Sequence, residues 1–255
     1  MTARAARILS SLVAVGLTAA CTSYYEIPIE TPIRPKLDVS AFQRVLVAGF
    51  ISGGSEDVDG NLETTRLLRS QLRTKSEMRV IDTDVLALMD AAVEGQGAET
   101  AIETTPAGIP VLIKDDKDLE PYEHLFADVA YWKKVGEEYQ QPLIVTGTVM
   151  FAPQQRAGIV QRDQEVYDSL GRRRVVPTRT YMERKGFVLK PRFIFIDGRT
   201  GAVLHSENFR EEILYNANQT TPALSSYFEL MDRLIPSFLS TLSSQKIKGT
   251  RILLQ

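Results

Sequence analysis

Few side chains in this chain of 255 residues could carry out covalent or metal chemistry. The only cysteine is Cys21, and the two histidines, His124 and His205, lie far apart in sequence. One cysteine cannot form a disulfide within the chain or a cysteine-rich zinc site. No Gly-x-Ser-x-Gly motif is present, and His205 lies in a strand pattern where a structural role is expected. We therefore predict no catalytic residues, no metal site and no cofactor, and we expect that the protein is not an enzyme.

The residues before Cys21 are typical of an export signal. Arg4 and Arg7 precede an apolar stretch, residues 8–19, which is too short to cross a bilayer as a helix. The segment 17–21, Leu-Thr-Ala-Ala-Cys, resembles the processing box of bacterial lipoproteins, whose signal is cleaved before a cysteine that carries diacylglycerol. The resemblance implies that residues 1–20 are a lipoprotein signal peptide and that Cys21 is the lipidation site. Ordinary cleavage with a free thiol and a mitochondrial presequence are the alternatives.

The residues after Cys21 indicate which membrane holds the protein and how far the domain can lie from it. Thr22 and Ser23 differ from the aspartate that retains such lipoproteins at the inner membrane, so the resemblance implies the periplasmic face of the outer membrane, reached through the N-terminal lipid. Prolines recur through residues 21–40, which we expect to form an extended tether reaching about 60 Å. An N-terminal strand is the alternative, since isoleucines also recur in this segment.

The pattern of the remaining chain predicts an α/β fold in which helices pack on a mixed sheet and a long antiparallel hairpin is added. We expect residues 41–255 to form a single domain with an acidic insertion at about 92–121 and a basic hairpin at about 152–192. Ser169-Leu170-Gly171 is the expected hairpin turn, and Pro236 should kink or divide the last helix. The predicted strands are 43–50, 78–82, 142–151, 157–167, 174–196 and 202–215, with a possible strand at 111–113, and the predicted helices are 61–76, a helix from 82 or 83 to 89, 122–140 and 222–244.

The loop after the first predicted strand contains glycines and acidic residues that bear on phosphate or calcium binding. The loop lacks the glycine pattern and the Gly-Lys-Ser/Thr of phosphate-binding loops. Asp57, Asp59 and Asn61 match the opening of a calcium loop, but Leu62 stands where glycine is needed and Leu68 where a bidentate glutamate is needed. These three polar residues are instead predicted to cap the helix that follows.

Charge is distributed unevenly along the chain, although the formal net charge is only −2. Residues 82–128 contain twelve acidic and two basic residues, and residues 152–192 contain ten basic and four acidic ones. The overall balance excludes a generally basic nucleic-acid binder, and no nucleic-acid partner is expected. The basic stretch, residues 152–192, is a candidate contact surface for lipid headgroups, an acidic polymer or an acidic protein. A solvated ribbon without a binding role is the alternative. The candidate contact residues are Arg172, Arg173, Arg174, Arg179, Arg184 and Lys185.

The order of these elements resembles a group of bacterial envelope lipoprotein domains. The segments that carry the resemblance are RVLVAGF at 44–50, RVID at 79–82, PLIVTGTV at 142–149 and FIFIDGRTGAVLHSENF at 193–209. The group includes the curli-secretion lipoprotein, penicillin-binding-protein-activator lipoproteins and the N-terminal domain of the Tol-system propeller protein. The resemblance implies a non-catalytic binding or assembly module whose partner is an envelope protein or another copy of the chain. A ring-forming component of a secretion apparatus is the first alternative, and an envelope hydrolase is the second.

Overall fold

The computed structural model describes residues 24–95, 113–216, 219 and 221–254. These residues belong to two compact units. One lies within Lys36–Leu242, and the other consists of residues 24–35 together with residues 243–254. The predicted signal peptide, Cys21 and most of the predicted acidic insertion lie outside the described residues. The domain was expected to span residues 41–255, whereas the last segment of the chain groups with the N-terminal one.

The unit Lys36–Leu242 is built on a six-stranded mixed sheet, as the fold-class prediction required. Its strands are β2 (Arg44–Gly54), β3 (Arg79–Val80), β4 (Leu143–Tyr167), β5 (Arg173–Asp197), β6 (Val203–Asn208) and β7 (Glu211–Asn216). The strand order is β3-β2-β4-β5-β6, and β7 also pairs with β5. Strand β2 is parallel to both of its neighbours, β3 and β4. The pairs β4–β5, β5–β6 and β5–β7 are antiparallel.

Helices cover both faces of the sheet, because its central strands are apolar on both sides. Alternate residues of β4 and β5 enter two separate cores, one containing Phe193 and the other Ile194. Helices α1 (Gly60–Lys75) and α5 (Ala223–Leu242) contribute to the first core. The second core is closed by α2 (Leu88–Gly95), a 3-10 helix (Asp116–Tyr122), α3 (Glu123–Ala127) and α4 (Val129–Glu138), with Trp132 fully buried.

A β-bulge in β2 explains why residue 49 is a glycine. The register between β2 and β4 shifts between Val47 and Gly49, which marks a β-bulge. Gly49 has φ of 140°, and a Cβ there would lie 2.9 Å from the side chain of Val85. Its carbonyl accepts a hydrogen bond from the Thr146 hydroxyl at 2.9 Å. The bulge therefore needs glycine for both its conformation and its surroundings.

Three details of the helices differ from the sequence prediction. The helix expected from residue 82 or 83 begins only at Leu88, because residues 81–86 form no regular structure and bond to β2 through the N–H groups of Ile81 and Leu86. The helix expected over 122–140 is interrupted at Asp128, whose carboxylate caps α4 by accepting from Tyr131 N–H at 3.0 Å. Helix α5 continues through Pro236 without division.

The second unit is a two-stranded antiparallel ribbon. Strand β1 (Tyr24–Ile33) pairs with β8 (Gln245–Leu254) over ten successive positions. For residues 24–33 the structure shows a paired strand, the alternative given above, in place of the expected tether. Both strands of an isolated ribbon are edges, and proline is tolerated where its missing N–H would face away from the partner. Pro28 and Pro32 are four residues apart and therefore lie on the same side of the strand.

Candidate functional site

The paired strands β4 and β5 extend far beyond the core of the sheet. Every residue of β4 has a partner in β5, from Leu143 opposite Asp197 to Tyr167 opposite Arg173. The part of β4 before residue 152 is buried, whereas most residues beyond it are exposed. We call residues 154–167 together with 173–186 the distal ribbon, whose 14 pairs span about 46 Å at 3.3 Å per residue. The predicted long hairpin is therefore confirmed.

The tip of the distal ribbon is organised by Asp168. Its carboxylate accepts hydrogen bonds from the N–H groups of Leu170 and Arg172, both at 2.9 Å, and from Nε of Arg172 at 2.9 Å. These bonds lower the pKa of the Asp168 carboxyl, and the bond from the Arg172 backbone has the largest effect. Gly171 adopts a left-handed φ of 72°. The tight turn lies where Ser169-Leu170-Gly171 predicted it.

The unbroken register sorts the charges of the distal ribbon onto two faces. Residues directly opposite each other share a face, and the face alternates along each strand. All three acidic residues of the paired strands, Asp163, Glu165 and Glu183, lie on one face, which we call the mixed face. It also carries three basic residues, so its formal charges cancel. The basic residues of the mixed face are Arg173, Arg179 and Lys185.

The other face carries four arginines and no acidic residue of the paired strands. We call Arg156, Arg162, Arg174 and Arg184 the arginine face. Arg156 and Arg184 are directly opposite each other, and Arg156 Nη2 lies 2.8 Å from Oε2 of Glu212 in β7. Among the described residues no ion pair includes the other three arginines. The arginine face is therefore a cationic surface with one internal counter-charge.

The mixed face differs in chemistry as well as in charge. Arg173 pairs with Glu165, and Lys185 Nζ lies 3.3 Å from Oε1 of Glu183. Between these ion pairs Ile159 lies opposite Tyr181, and their relative exposures are 72% and 68%. Neighbouring side chains thus satisfy much of the charge on this face, and its centre is apolar.

Below the base of the distal ribbon, β5 continues on the side of the arginine face with Lys190 and Arg192. Both residues form ion pairs with acidic residues of the helices that close the second core. Lys190 Nζ lies 2.5 Å from Oδ2 of Asp116, and Arg192 Nη1 lies 2.6 Å from Oε1 of Glu123. Asp116 belongs to the 3-10 helix and Glu123 to α3. The described part of the acidic stretch therefore already binds two basic residues on this side of the sheet.

The six predicted contact residues do not form one surface. Only Arg174 and Arg184 belong to the arginine face, and Arg172 is bound to Asp168 at the tip. The other three, Arg173, Arg179 and Lys185, lie on the mixed face. Two residues of the arginine face, Arg156 and Arg162, were absent from the predicted set. Arg156 and Arg162 are six residues apart on one strand, so the sequence alone indicates that they share a face. Only the register between β4 and β5 shows that Arg174 and Arg184 belong to the same face.

The two histidines occupy structural positions. His124 approaches the carbonyl oxygens of Pro121 and Ala92 with its two ring nitrogens, at 2.7 and 3.1 Å. His205 in β6 lies 3.5 Å from a carboxylate oxygen of Glu207 and beside the ring of Phe195. The two rings therefore lie on different elements and do not share a site.

The loop after β2 contains the polar residues that suggested a cation or a helix cap. Asp59 accepts from Leu62 N–H at 2.9 Å and caps α1, while Asn61 Oδ1 accepts from Phe50 N–H at 2.7 Å. Asp57 bonds to the Ser55 hydroxyl at 3.1 Å. Capping is confirmed for Asp59, whereas Asn61 bonds to β2 instead. Among the described residues no three His, Cys, Asp or Glu side chains are grouped as metal ligands.

A polar cleft of about 500 Å³ opens where the parallel strands begin. Its charged lining residues are Arg44, Arg79, Asp82 and Glu138. Arg44 donates to the side chain of Gln140, and Asp82 pairs with Arg73 of α1. Charges of both signs thus line the cleft, and two of them are engaged by neighbouring residues.

No helix in the described part of the chain is both long and apolar enough to cross a membrane. No protein-family model matches the sequence, and the search of curated proteins returns no match.

Two solved structures are similar to this chain at low identity. The lipoprotein GNA1162 from Neisseria meningitidis is 11% identical with a TM-score of 0.34, over 77% of this chain and 97% of that one. A putative neuraminyllactose-binding hemagglutinin homolog from Helicobacter pylori is 12% identical with a TM-score of 0.31, over 84% of this chain and 90% of that one.

Proposed function

We propose that the chain is a lipoprotein, anchored through Cys21 at the periplasmic face of the outer membrane, that binds and assembles envelope components without catalysis. The lipoprotein box at residues 17–21 supports the anchor. The arginine face is the observation that carries the binding role, because it is exposed, projects beyond the core of the sheet and lacks acidic residues of its own strands.

The spacing of the arginine face favours an extended partner over a small anion. Along β4, Arg162 lies six residues beyond Arg156, and the pair of Arg174 lies four residues further. At 3.3 Å per residue these steps correspond to about 20 and about 13 Å. One phosphate or carboxylate cannot bridge such distances. An acidic face of an envelope protein supplies several anions along one surface, and guanidinium groups bind carboxylates in fixed, bidentate geometry.

The anchor is tested by replacing Cys21 with alanine. The wild-type protein should incorporate radiolabelled palmitate and sediment with membranes, whereas the Cys21→Ala protein should do neither. Ser23→Ala is the matched control, because it alters a neighbouring small residue and keeps the cysteine. Membrane attachment of Cys21→Ala at the wild-type level would contradict the proposed anchor.

The binding role is tested by cross-linking in cells followed by mass spectrometry. A variant with Arg162, Arg174 and Arg184 changed to glutamine removes three charges from the arginine face. The control changes Arg173, Arg179 and Lys185 to glutamine and removes three charges from the mixed face. The first variant should lose the envelope partner that the wild type captures, and the control should retain it. Equal capture by both would contradict a role for the arginine face.

A ring-forming secretion component is the second candidate, supported by the acidic residues at the base of the ribbon. Asp116 and Glu123 already pair with Lys190 and Arg192 within one chain. Similar acidic side chains on another copy could engage the arginine face and build an oligomer. Size-exclusion chromatography with light scattering tests this candidate, which predicts a defined oligomer that dissociates in high salt. A monomer at every salt concentration would remove it.

A further inference from the structure

The ribbon of β1 and β8 brings residues near the end of the sequence beside those that follow Cys21. Tyr24 is paired with Leu254, Tyr25 with Leu253 and Ile27 with Arg251. The opposite end of the ribbon pairs Ile33 with Gln245. The ten pairs span about 33 Å. One end of the ribbon is therefore close to Cys21 along the chain, and the other end is far from it.

Chain geometry limits how far the near end can lie from the lipid. Three peptide links join Cys21 to Tyr24, and they span at most about 11 Å. The proposed acyl chains on Cys21 must lie in the hydrocarbon layer, with the polar headgroup layer directly above it. Tyr24 must consequently lie within or just above the headgroups. Its pairing with Leu254 brings that residue to within about 5.5 Å, Cα to Cα.

The residue types along the ribbon match this placement. The near end contains Tyr24, Tyr25 and the sequence Arg-Ile-Leu-Leu at residues 251–254, in which Ile252 is 59% exposed. Tyrosine is enriched at membrane–water interfaces, and arginine at that level can contact lipid phosphates. Further from the anchor, Lys246 and Lys248 lie 3.2 and 3.8 Å from carboxylate oxygens of Glu30. By residue type, the end near the lipid is therefore richer in aromatic and large aliphatic residues, although it also carries Glu26 opposite Ile252 and the neighbouring Arg251.

We propose that residues 24–27 and 251–254 form a foot that contacts the headgroup layer of the membrane beside the lipid anchor. The proposal rests on the lipidation of Cys21. It replaces a free tether with a two-stranded stalk, because β1 is held along its length by β8. The surface that this foot contacts is a phospholipid leaflet, distinct from the partner of the arginine face.

The foot is tested with the full-length lipidated protein in vesicles of phosphatidylethanolamine and phosphatidylglycerol. Ile252→Cys supplies one reactive thiol for a polarity-sensitive fluorophore, since a lipidated Cys21 carries a thioether. Gly249→Cys is the matched control on the same strand, where an added Cβ meets nothing within 4 Å. Aqueous iodide should quench the label at position 252 several-fold less than the label at 249. Spin-labelled lipids should quench only the label at 252.

The outcomes separate this proposal from the proposed anchor. Protein that fails to float with vesicles contradicts lipidation, and the foot is rejected with it. Protein that floats with equal iodide quenching at both positions contradicts the foot alone. The pairing itself is tested by Ile27→Cys with Arg251→Cys, which are directly opposite and should form a disulfide on oxidation. Failure of that cross-link in membrane-bound protein would also overturn the proposal.

Discussion

Arg156 and Arg184 lie directly opposite each other on the arginine face, at the base of the distal ribbon. Two cations in this position repel each other across the strands. Glu212 of β7 reduces the repulsion, because its Oε2 lies 2.8 Å from Arg156 Nη2. The sheet therefore compensates one of the two charges at the base of the arginine face, whereas Arg184, Arg162 and Arg174 take part in no ion pair among the described residues.

Replacement of Glu212 by glutamine should destabilise the protein in a salt-dependent way. Loss of the carboxylate leaves Arg156 without its ion-pair partner opposite Arg184, but both side chains of the ion pair are partly exposed. We therefore expect a decrease of about 0.5 kcal/mol in the free energy of unfolding at low salt. Urea denaturation should show the decrease shrinking in 1 M salt. Glu211→Gln is the control, and an equal effect of both substitutions would contradict the role of Glu212.

Neutralising the arginine face should leave the fold intact. Arg162, Arg174 and Arg184 are exposed on the distal ribbon, beyond the buried part of the sheet. Changing all three to glutamine should alter the free energy of unfolding by less than about 0.5 kcal/mol. Thermal and urea unfolding of this variant and the wild type provide the measurement. A loss of several kcal/mol would show that these arginines serve the structure rather than a contact.

The sequence predicted much of the fold because the central strands are short apolar runs with clear boundaries. The apolar run at 142–151 became the buried part of β4, and the turn at Ser169-Leu170-Gly171 formed as expected. The late start of α2 could not be predicted, because residues 81–86 are held by hydrogen bonds to β2, a strand that is distant in sequence. The pairing of β1 with β8 could not be predicted for the same reason, because it joins segments more than 200 residues apart.

The candidate site was predicted by composition but not by geometry. Ten basic residues between 152 and 192 correctly indicated a cationic hairpin. Which of them share a face depends on the register between β4 and β5, which a single strand does not reveal. Arg162 and Arg174 therefore belong together although twelve residues separate them, while the neighbours Arg173 and Arg174 face opposite sides.

The buried hydroxyl of Tyr227 should contribute measurably to stability. It bonds to the Thr64 hydroxyl and to the carbonyl of Gly60 at 3.2 Å, and burial raises its pKa. Tyr227→Phe leaves both partners in the core with one bond fewer, so we expect a loss of about 1–2 kcal/mol in the free energy of unfolding. Urea denaturation measures it. Tyr181→Phe, on the exposed mixed face, should change stability little, and equal effects would contradict this account.

The ribbon tip should lose order at acid pH. Because hydrogen bonds lower the pKa of Asp168 in the folded state, its stabilising effect is present above about pH 4 and is lost as the pH falls through the lowered value. NMR titration should place the carboxyl transition below that of an unstructured aspartate. Asp168→Asn should reduce protection of the Arg172 N–H against exchange at neutral pH, whereas Asp163→Asn should not. An unshifted titration of Asp168 would contradict the turn geometry.

The most direct test of the account compares the two faces of the distal ribbon in living cells. A photo-reactive residue replaces Thr180 on the arginine face or Tyr181 on the mixed face, two adjacent exposed positions. We predict that Thr180 captures an envelope component and that the capture disappears when Arg162, Arg174 and Arg184 are changed to glutamine. Tyr181 should capture far less. Equal capture from both faces, or capture from Thr180 that survives the loss of the three arginines, would contradict the proposed binding surface.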